Sequence, residues 1–238
     1  MNVETHSGQG CAPGEISLAH NGILFLDELA EFPRRVLDAL REPLETGSVC
    51  VSRAARRADY PARFQLVAAM NPCPCGYHGE AGRCRCGAEE VRRYRARVSG
   101  PLLDRIDLGV ALRREAVHPG IDGALPESSA AIAQRVHEAA RRQQHRQGGC
   151  NARLPPRALR ALVAPGSPAA ALLAAAGARW QLSRRGVDRI LAVARTVADL
   201  AGHDAVSDGD LAEALAFRSD EAVASEDGAM PTGCRSAG

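Results

Sequence analysis

The sequence predicts an α/β fold in two parts, a parallel sheet built from alternating strands and helices followed by an all-helical domain. Three observations carry this prediction. Gly22-Ile-Leu-Phe-Leu-Asp27 is an apolar run of buried-strand length that ends abruptly in acid. A second run, Leu66-Val-Ala-Ala-Met-Asn71, ends in an amide, and helix-patterned sequence separates the two. Beyond His118 the texture changes to Ala/Arg-rich segments without strand signals.

Taken in order, residues 1–14 are polar and Gly/Pro-rich and read as a loop. The strand at 22–27 follows. Pro33 then opens a helix whose apolar positions Val36, Leu37, Leu40 and Leu44 recur at helical spacing, with Gly47 placed to stop it. Residues 49–54 and 62–69 carry enough Val, Leu and Phe to be strands, and an arginine-bearing turn at 53–60 joins them. A helix over 89–98 leads to one more short strand at 106–112. The helical domain comprises segments at 128–146, 155–163, 168–178, 183–201 and 207–217. In the longest of these, Val187, Ile190, Leu191, Ala194, Val197 and Ala198 form one apolar stripe behind a Ser183 N-cap, and Ser207 with Asp210 makes a capping box for the last. The expected domains are therefore 15–117, with a Cys-rich insert at 73–86, and 118–218, followed by a disordered tail at 219–238 that is poor in apolar residues.

Composition narrows the function classes. A hydrophobic content of 45% suffices for a core, and 30 basic against 28 acidic residues leave a formal charge of +2, so nucleic-acid contact requires a local patch. All 30 of those basic residues are arginine, because the chain contains no lysine. No apolar run approaches the roughly 18 residues of a membrane span, and the amino terminus lacks the layout of a signal peptide; the expected location is the cytoplasm, without a membrane partner.

Three segments carry chemistry. The strand at 22–27 delivers Asp27 and Glu28 side by side at its carboxyl end, where one carboxylate can hold a magnesium ion while its neighbour orients an attacking water. This is the form of a Walker B element. Asn71 ends the second strand with a donor and an acceptor on one side chain, able to bond both water and phosphate; the plainer alternative is a strand-ending asparagine before Pro72. Arg105, in Ser99-Gly-Pro-Leu-Leu-Asp-Arg-Ile-Asp107, can stabilise charge on a neighbouring subunit's phosphates, or simply pair with Asp104 or Asp107.

The segments PGEISLAHNGILFLDELAEF, RRVLDALREPLE, YPARFQLVAAMNPCPCG and SGPLLDRIDL together resemble the magnesium-chelatase-like AAA+ ATPases, in particular their bacterial competence-associated branch-migration helicases. The resemblance spans residues 13–217. It implies a partial AAA+ P-loop NTPase core with an all-α lid, working as a ring hexamer with ATP between subunits. Asp27 and Glu28 are then the Walker B pair, Asn71 is sensor 1, Arg105 is the arginine finger, and Arg185, with Arg184 as its competitor, is sensor 2.

The same comparison exposes a defect. A Walker A loop needs a lysine to reach the β and γ phosphates, and this chain has none. The family places that loop and two sheet strands upstream of residue 13, so the chain reads as a C-terminal part that cannot hydrolyse ATP alone and that requires a partner polypeptide supplying the loop. One of these missing strands normally lies in the sheet between the Asn71 strand and 106–112, so its loss implies a gap in the sheet, a re-paired sheet or low stability in isolation.

Two other clusters stand apart. Cys73, Cys75, Cys84 and Cys86 offer four thiolates across a Gly-rich loop, enough for a structural zinc ion with His78 as a spare ligand; the alternative is a reduced, metal-free loop. Arg53, Arg56 and Arg57 sit in the turn at 53–60, where a projecting hairpin can contact DNA phosphates, or they form an ordinary solvated turn. Arg92, Arg93, Arg95 and Arg97 make a second basic stretch suited to a neighbouring subunit, and the basic residues at 141–146 read as wet surface. Two further readings are a non-hydrolysing zinc-bearing DNA-binding or assembly fragment and a magnesium chelatase subunit.

Overall fold

The computed structural model describes residues 13–53, 56–80, 82–112 and 127–218. They form two compact units, whose boundary in sequence falls between Ile106 and Asp107, upstream of the expected 117/118. The expected tail at 219–238 lies outside the described residues.

The first unit begins with the short helix α1 (Glu15–Leu18), followed by strand β1 (Ile23–Leu26), a 3-10 turn at Leu29–Glu31, and helices α2 (Arg34–Ala39) and α3 (Arg41–Thr46). Strands β2 (Ser48–Arg53), β3 (Arg56–Pro61) and β4 (Gln65–Ala68) come next, then helices α4 (Ala88–Arg95) and α5 (Gly100–Leu103). β1 and β4 pair in parallel, from Ile23 opposite Gln65 to Leu26 opposite Ala68. Leu26, Leu29, Leu37, Leu40, Val98 and Leu102 form the buried core, with Leu24, Phe32, Leu66 and Met70 packed against it.

Three expectations need correction. The single helix after Pro33 is two, broken at Leu40. Pro43 has no N–H to donate to the carbonyl of Ala39 and its ring crowds that carbonyl, so the first helix cannot continue through it. Gly47 does end α3, in the left-handed conformation at φ 72°, its N–H donating to Pro43 O at 2.9 Å. Second, most of the arginine-bearing turn at 53–60 is strand. β3 pairs antiparallel with β2 in a register that runs to Arg53 opposite Arg56, and β4 leaves the hairpin to join β1.

The third correction concerns residues 106–112, which are extended but join no ladder among the described residues. Leu108, Val110 and Leu112 are exposed, and Gly109 N–H donates to Phe217 O at 2.9 Å instead of to a strand. An apolar segment becomes a strand only when a neighbouring edge takes up its backbone groups. The parallel sheet accordingly has two strands among the described residues, and its outer face carries Ile23, Phe25 and Val67 at 63%, 54% and 39% exposure. Parallel sheets ordinarily have both faces covered.

The second unit contains α6 (Ser129–Gln147), a 3-10 turn at Asn151–Arg153, α7 (Pro156–Arg160), α8 (Pro168–Trp180), α9 (Arg184–Ala201) and α10 (Asp208–Ala216). Serine hydroxyls cap α6, α8, α9 and α10, and the Ser207/Asp210 capping box is complete. The α9 stripe buries Ile190, Leu191 and Ala194 against Leu159, Leu211 and Leu215, and Ala198 is buried as well. Burying each Leu or Ile contributes about 1.5–3 kcal/mol.

Beside this apolar core lies a buried polar network. Asp199 accepts from Arg146 at 2.7 and 2.8 Å, from Asn151 at 2.8 Å and from Arg195 at 2.9 Å. Burial alone would raise the Asp199 pKa, but Arg146, Asn151 and Arg195 outweigh it and hold the carboxyl below its ordinary value. The basic stretch at 141–146 is therefore not merely wet surface, since Arg146 fastens α6 to α9 and Arg142 donates to Gly202 O at 3.2 Å. No described helix is long and apolar enough to cross a membrane.

Candidate nucleotide site and thiolate cluster

Because β1 and β4 run parallel, their carboxyl ends lie side by side, and this brings the acidic pair and the amide to one end of the sheet. Ala69 N–H donates to Leu26 O at 2.9 Å, and Leu29 N–H donates to Ala69 O at 2.8 Å, so the ladder brackets Asp27 and Glu28. Asp27, Glu28 and Asn71 are all exposed there. Glu28 sits in the left-handed region at φ 52°, ψ 48°, and the Asp27 carboxylate accepts its backbone N–H at 2.9 Å. A non-glycine residue held there costs on the order of 1–2 kcal/mol. Such strain persists where surrounding bonds over-determine it, as this ladder does.

Arg105 pairs with neither Asp104 nor Asp107. Its Nε donates to Arg41 O at 3.1 Å, Nη1 to Pro101 O at 2.6 Å, and Nη2 to the Glu45 carboxylate at 2.5 Å, with the side chain only 14% exposed. Glu45 is the partner that sequence reading missed, since it lies 60 positions away, on α3. Arg185 lies in the second unit, half-buried near the start of α9, where it lines a groove of about 470 Å³ with Asp188, Arg189 and Phe217. Arg184 beside it is exposed.

Of the hairpin arginines, Arg57 is exposed and lies 3.9 Å from Asp59. Arg53 and Arg56 close the register. The second basic stretch is engaged within the unit. Arg92 and Arg93 reach Glu89 at 2.7 and 3.7 Å, Arg95 Nε donates to Pro72 O at 3.1 Å, and Arg97 donates to Ala30 O at 3.2 Å and Glu31 at 2.9 Å.

The four cysteines converge. Cys73 Sγ lies 3.4 Å from Cys75 Sγ and 3.9 Å from Cys84 Sγ, the latter two sulfurs are 3.7 Å apart, and all four, Cys86 included, fall within 4.8 Å of one another. Four thiolates at the zinc–sulfur distance of about 2.3 Å place neighbouring sulfurs about 3.8 Å apart, so the set fits tetrahedral zinc without His78. The backbone N–H groups of Arg85 and Tyr77 lower the Cys75 thiol to about 6. At Cys86 the N–H of Cys75 acts in the same sense, but burial and the adjoining Cys75 and Cys73 sulfurs prevail and push it up to about 12.

Known proteins resemble the chain over most of its length. The family model described as magnesium chelatase, subunit ChlI, matches residues 5–118, and that of the ChlI C-terminal region matches residues 126–218. The chain belongs to the magnesium-chelatase-like family. Within this nucleotide-binding family it is 48% identical over 210 residues to the protein YifB of Salmonella typhimurium (87% of this chain, 41% of that protein). It is 46% identical over 213 residues to YifB of Escherichia coli (87% and 41%). With the competence protein ComM of Haemophilus influenzae it shares 44% identity over 210 residues (87% and 40%). This magnesium-chelatase-like chain thus spans about two fifths of the length of the curated relatives it matches.

Proposed function

We propose that this chain supplies the magnesium- and water-handling half of an AAA+ ATP site, in a cytoplasmic ring hexamer whose ATP hydrolysis at subunit interfaces drives DNA remodelling, as branch migration or helicase action in natural transformation. Asp27 holds the Mg²⁺ of Mg-ATP, Glu28 orients the attacking water, and Asn71 bonds the water and the terminal phosphate. Arg105 serves the adjoining subunit's nucleotide after leaving Glu45, and Arg185 contacts phosphate from the lid. Arg53, Arg56 and Arg57 meet DNA phosphates. Zinc, held by the four cysteines, is structural. The DNA role draws on the likeness to a competence protein. The observation that carries the reading is the parallel pairing of β1 with β4, which gathers Asp27, Glu28 and Asn71 at one sheet end.

A chain without lysine cannot form the phosphate loop, so polypeptide outside residues 1–238 supplies it. Turnover is measured for the chain alone and mixed with a family polypeptide carrying the loop. The expected result is hydrolysis only in the mixture, abolished by Glu28→Gln with nucleotide still bound. Turnover by the chain alone, or an unchanged rate with Glu28→Gln, overturns the assignment.

The same lack of lysine favours a second reading, a non-hydrolysing zinc-bearing fragment that binds DNA or assists assembly. DNA binding without turnover in any mixture selects it. The family description itself favours a third, a subunit inserting magnesium into a porphyrin; porphyrin-dependent magnesium uptake by the mixture selects that one.

A further inference from the structure

The thiolate cluster does not hang free of the acidic site. Cys73 is fully buried and follows Asn71 by two residues, with only Pro72 between them. Gly76, at φ 78°, donates its N–H to Cys73 O at 3.0 Å and turns the loop back over the strand end. A β-carbon built there would lie 3.9 Å from Asn71 Oδ1, so the loop passes beside the amide with room for about one methyl group between them. On the other side, Arg95 Nε holds Pro72 O at 3.1 Å, and two residues on Arg97 bonds Ala30 O and Glu31, in the turn that directly follows Asp27 and Glu28. One path of contacts therefore joins the sulfurs to Asn71 and, through α4, to the turn behind the acidic pair.

We propose that a soft divalent cation of the zinc type, held by Cys73, Cys75, Cys84 and Cys86, is a clamp that positions Asn71 and braces, through Arg95 and Arg97, the turn behind Glu28. In this role the four cysteines are positioning residues. The ion touches neither water nor phosphate. It ties two strands of loop, residues 73–75 and 84–86, into one rigid knot, and that knot fixes where the β4 strand end leaves the sheet. Without the ion, four free thiols exert no net pull on one another, and Pro72 and Gly76 are released together. The inference rests on the proposed nucleotide role of Asn71, but the readouts that decide it are metal content, exchange and the Asn71 signal, and turnover serves only to separate the two readings.

The full chain is stripped of metal with a chelator under reducing conditions and then given zinc chloride, cobalt chloride or magnesium chloride. Metal content, hydrogen exchange, and the side-chain amide signal of Asn71 in labelled protein are followed. The expected result is one zinc per chain, exchange slowed several-fold in residues 66–76 and 92–98, and a shifted, single Asn71 amide signal. Cobalt should restore the same protection and develop the visible bands of a tetrahedral thiolate site, magnesium should restore nothing, and α9 should not respond. Cys84→Ser should lose the metal; should that variant fold poorly, chelation of the unaltered chain makes the same comparison.

Zinc bound at one per chain with no change at residues 66–71 overturns the clamp and leaves the metal site standing. Failure to retain zinc overturns both. A dead ATPase in the reconstituted mixture, with zinc protection intact, counts against the nucleotide reading alone.

Discussion

Arg105, in the turn after α5, donates to Glu45 on α3, with the guanidinium's other nitrogens given to Arg41 O and Pro101 O. An arginine fully engaged within its own chain has a structural task whatever else it does. Removing it takes a donor from the Arg41 and Pro101 carbonyl groups and a cation from Glu45. Arg105→Ala should lower the stability of the chain alone by about 1–3 kcal/mol, read as a shift in urea midpoint. Glu45→Gln loosens the grip while keeping the shape, and in a reconstituted ring it should preserve or raise turnover while Arg105→Ala abolishes it. No midpoint shift with Arg105→Ala would show that these bonds carry nothing.

The left-handed backbone at Glu28 makes a second, separable prediction. Glycine adopts φ 52° without penalty, so Glu28→Gly should stabilise the first unit by about 0.5–1 kcal/mol while removing the water-orienting carboxylate. A variant both sturdier and inactive is the expected outcome of denaturation and turnover assays on the same preparation. A destabilised Glu28→Gly would contradict the strain.

The Asp199 network sets the acid limit of the helical unit. Its folded pKa lies below the unfolded value, so its contribution is present in full at neutral pH and is lost as pH falls below about 5 and through the folded pKa. Asp210, where burial is outweighed by bonds from Ser207 and by His203, titrates in the same sense. Thermal melts followed by Trp180, the only tryptophan, should drop in midpoint between pH 5 and 3. Asp199→Asn should cost about 3–5 kcal/mol at neutral pH, because Arg146 and Arg195 are left facing a neutral amide, and should flatten that acid limb. An unaltered limb would assign the acid sensitivity elsewhere.

The uncovered sheet face yields a fourth. Ile23, Phe25 and Val67 present adjoining apolar side chains on neighbouring strands. The chain alone should bind an apolar fluorescent dye, and Phe25→Thr with Ile23→Thr should reduce that signal without changing the melting of the second unit. Equal dye binding by the double variant would locate the exposed surface in another place.

How far residues announced this structure depended on the range of the interactions concerned. β1 was legible because four apolar residues end at Asp27, and the caps at Ser183 and Ser207 were legible because a cap is a bond across three positions. The break at Leu40 is readable from Pro43, whose missing N–H outweighs an apolar spacing that by itself spells one continuous helix. β3 reads as a turn because Arg-Arg-Ala-Asp-Tyr has the polarity of one; its strand character comes from pairing with β2. Residues 106–112 show the converse, since their Leu and Val pattern promises a strand that no described neighbour completes. The parallel alignment that unites Asp27 with Asn71, and the bonds from Arg105 to Glu45 and from Arg146 to Asp199, span tens of positions and leave no local trace.

The grip of Arg146 on Asp199 also governs how the helical unit can move. Sliding α6 along α9 by one turn, about 5.4 Å, would carry Arg146 away from Asp199 and leave the buried carboxylate one cation short, with Arg195 of its own helix and Asn151 as its remaining partners, so gradual slippage is opposed. Through that one doubly bonded ion pair, α6 and α9 are held in a single register and move together.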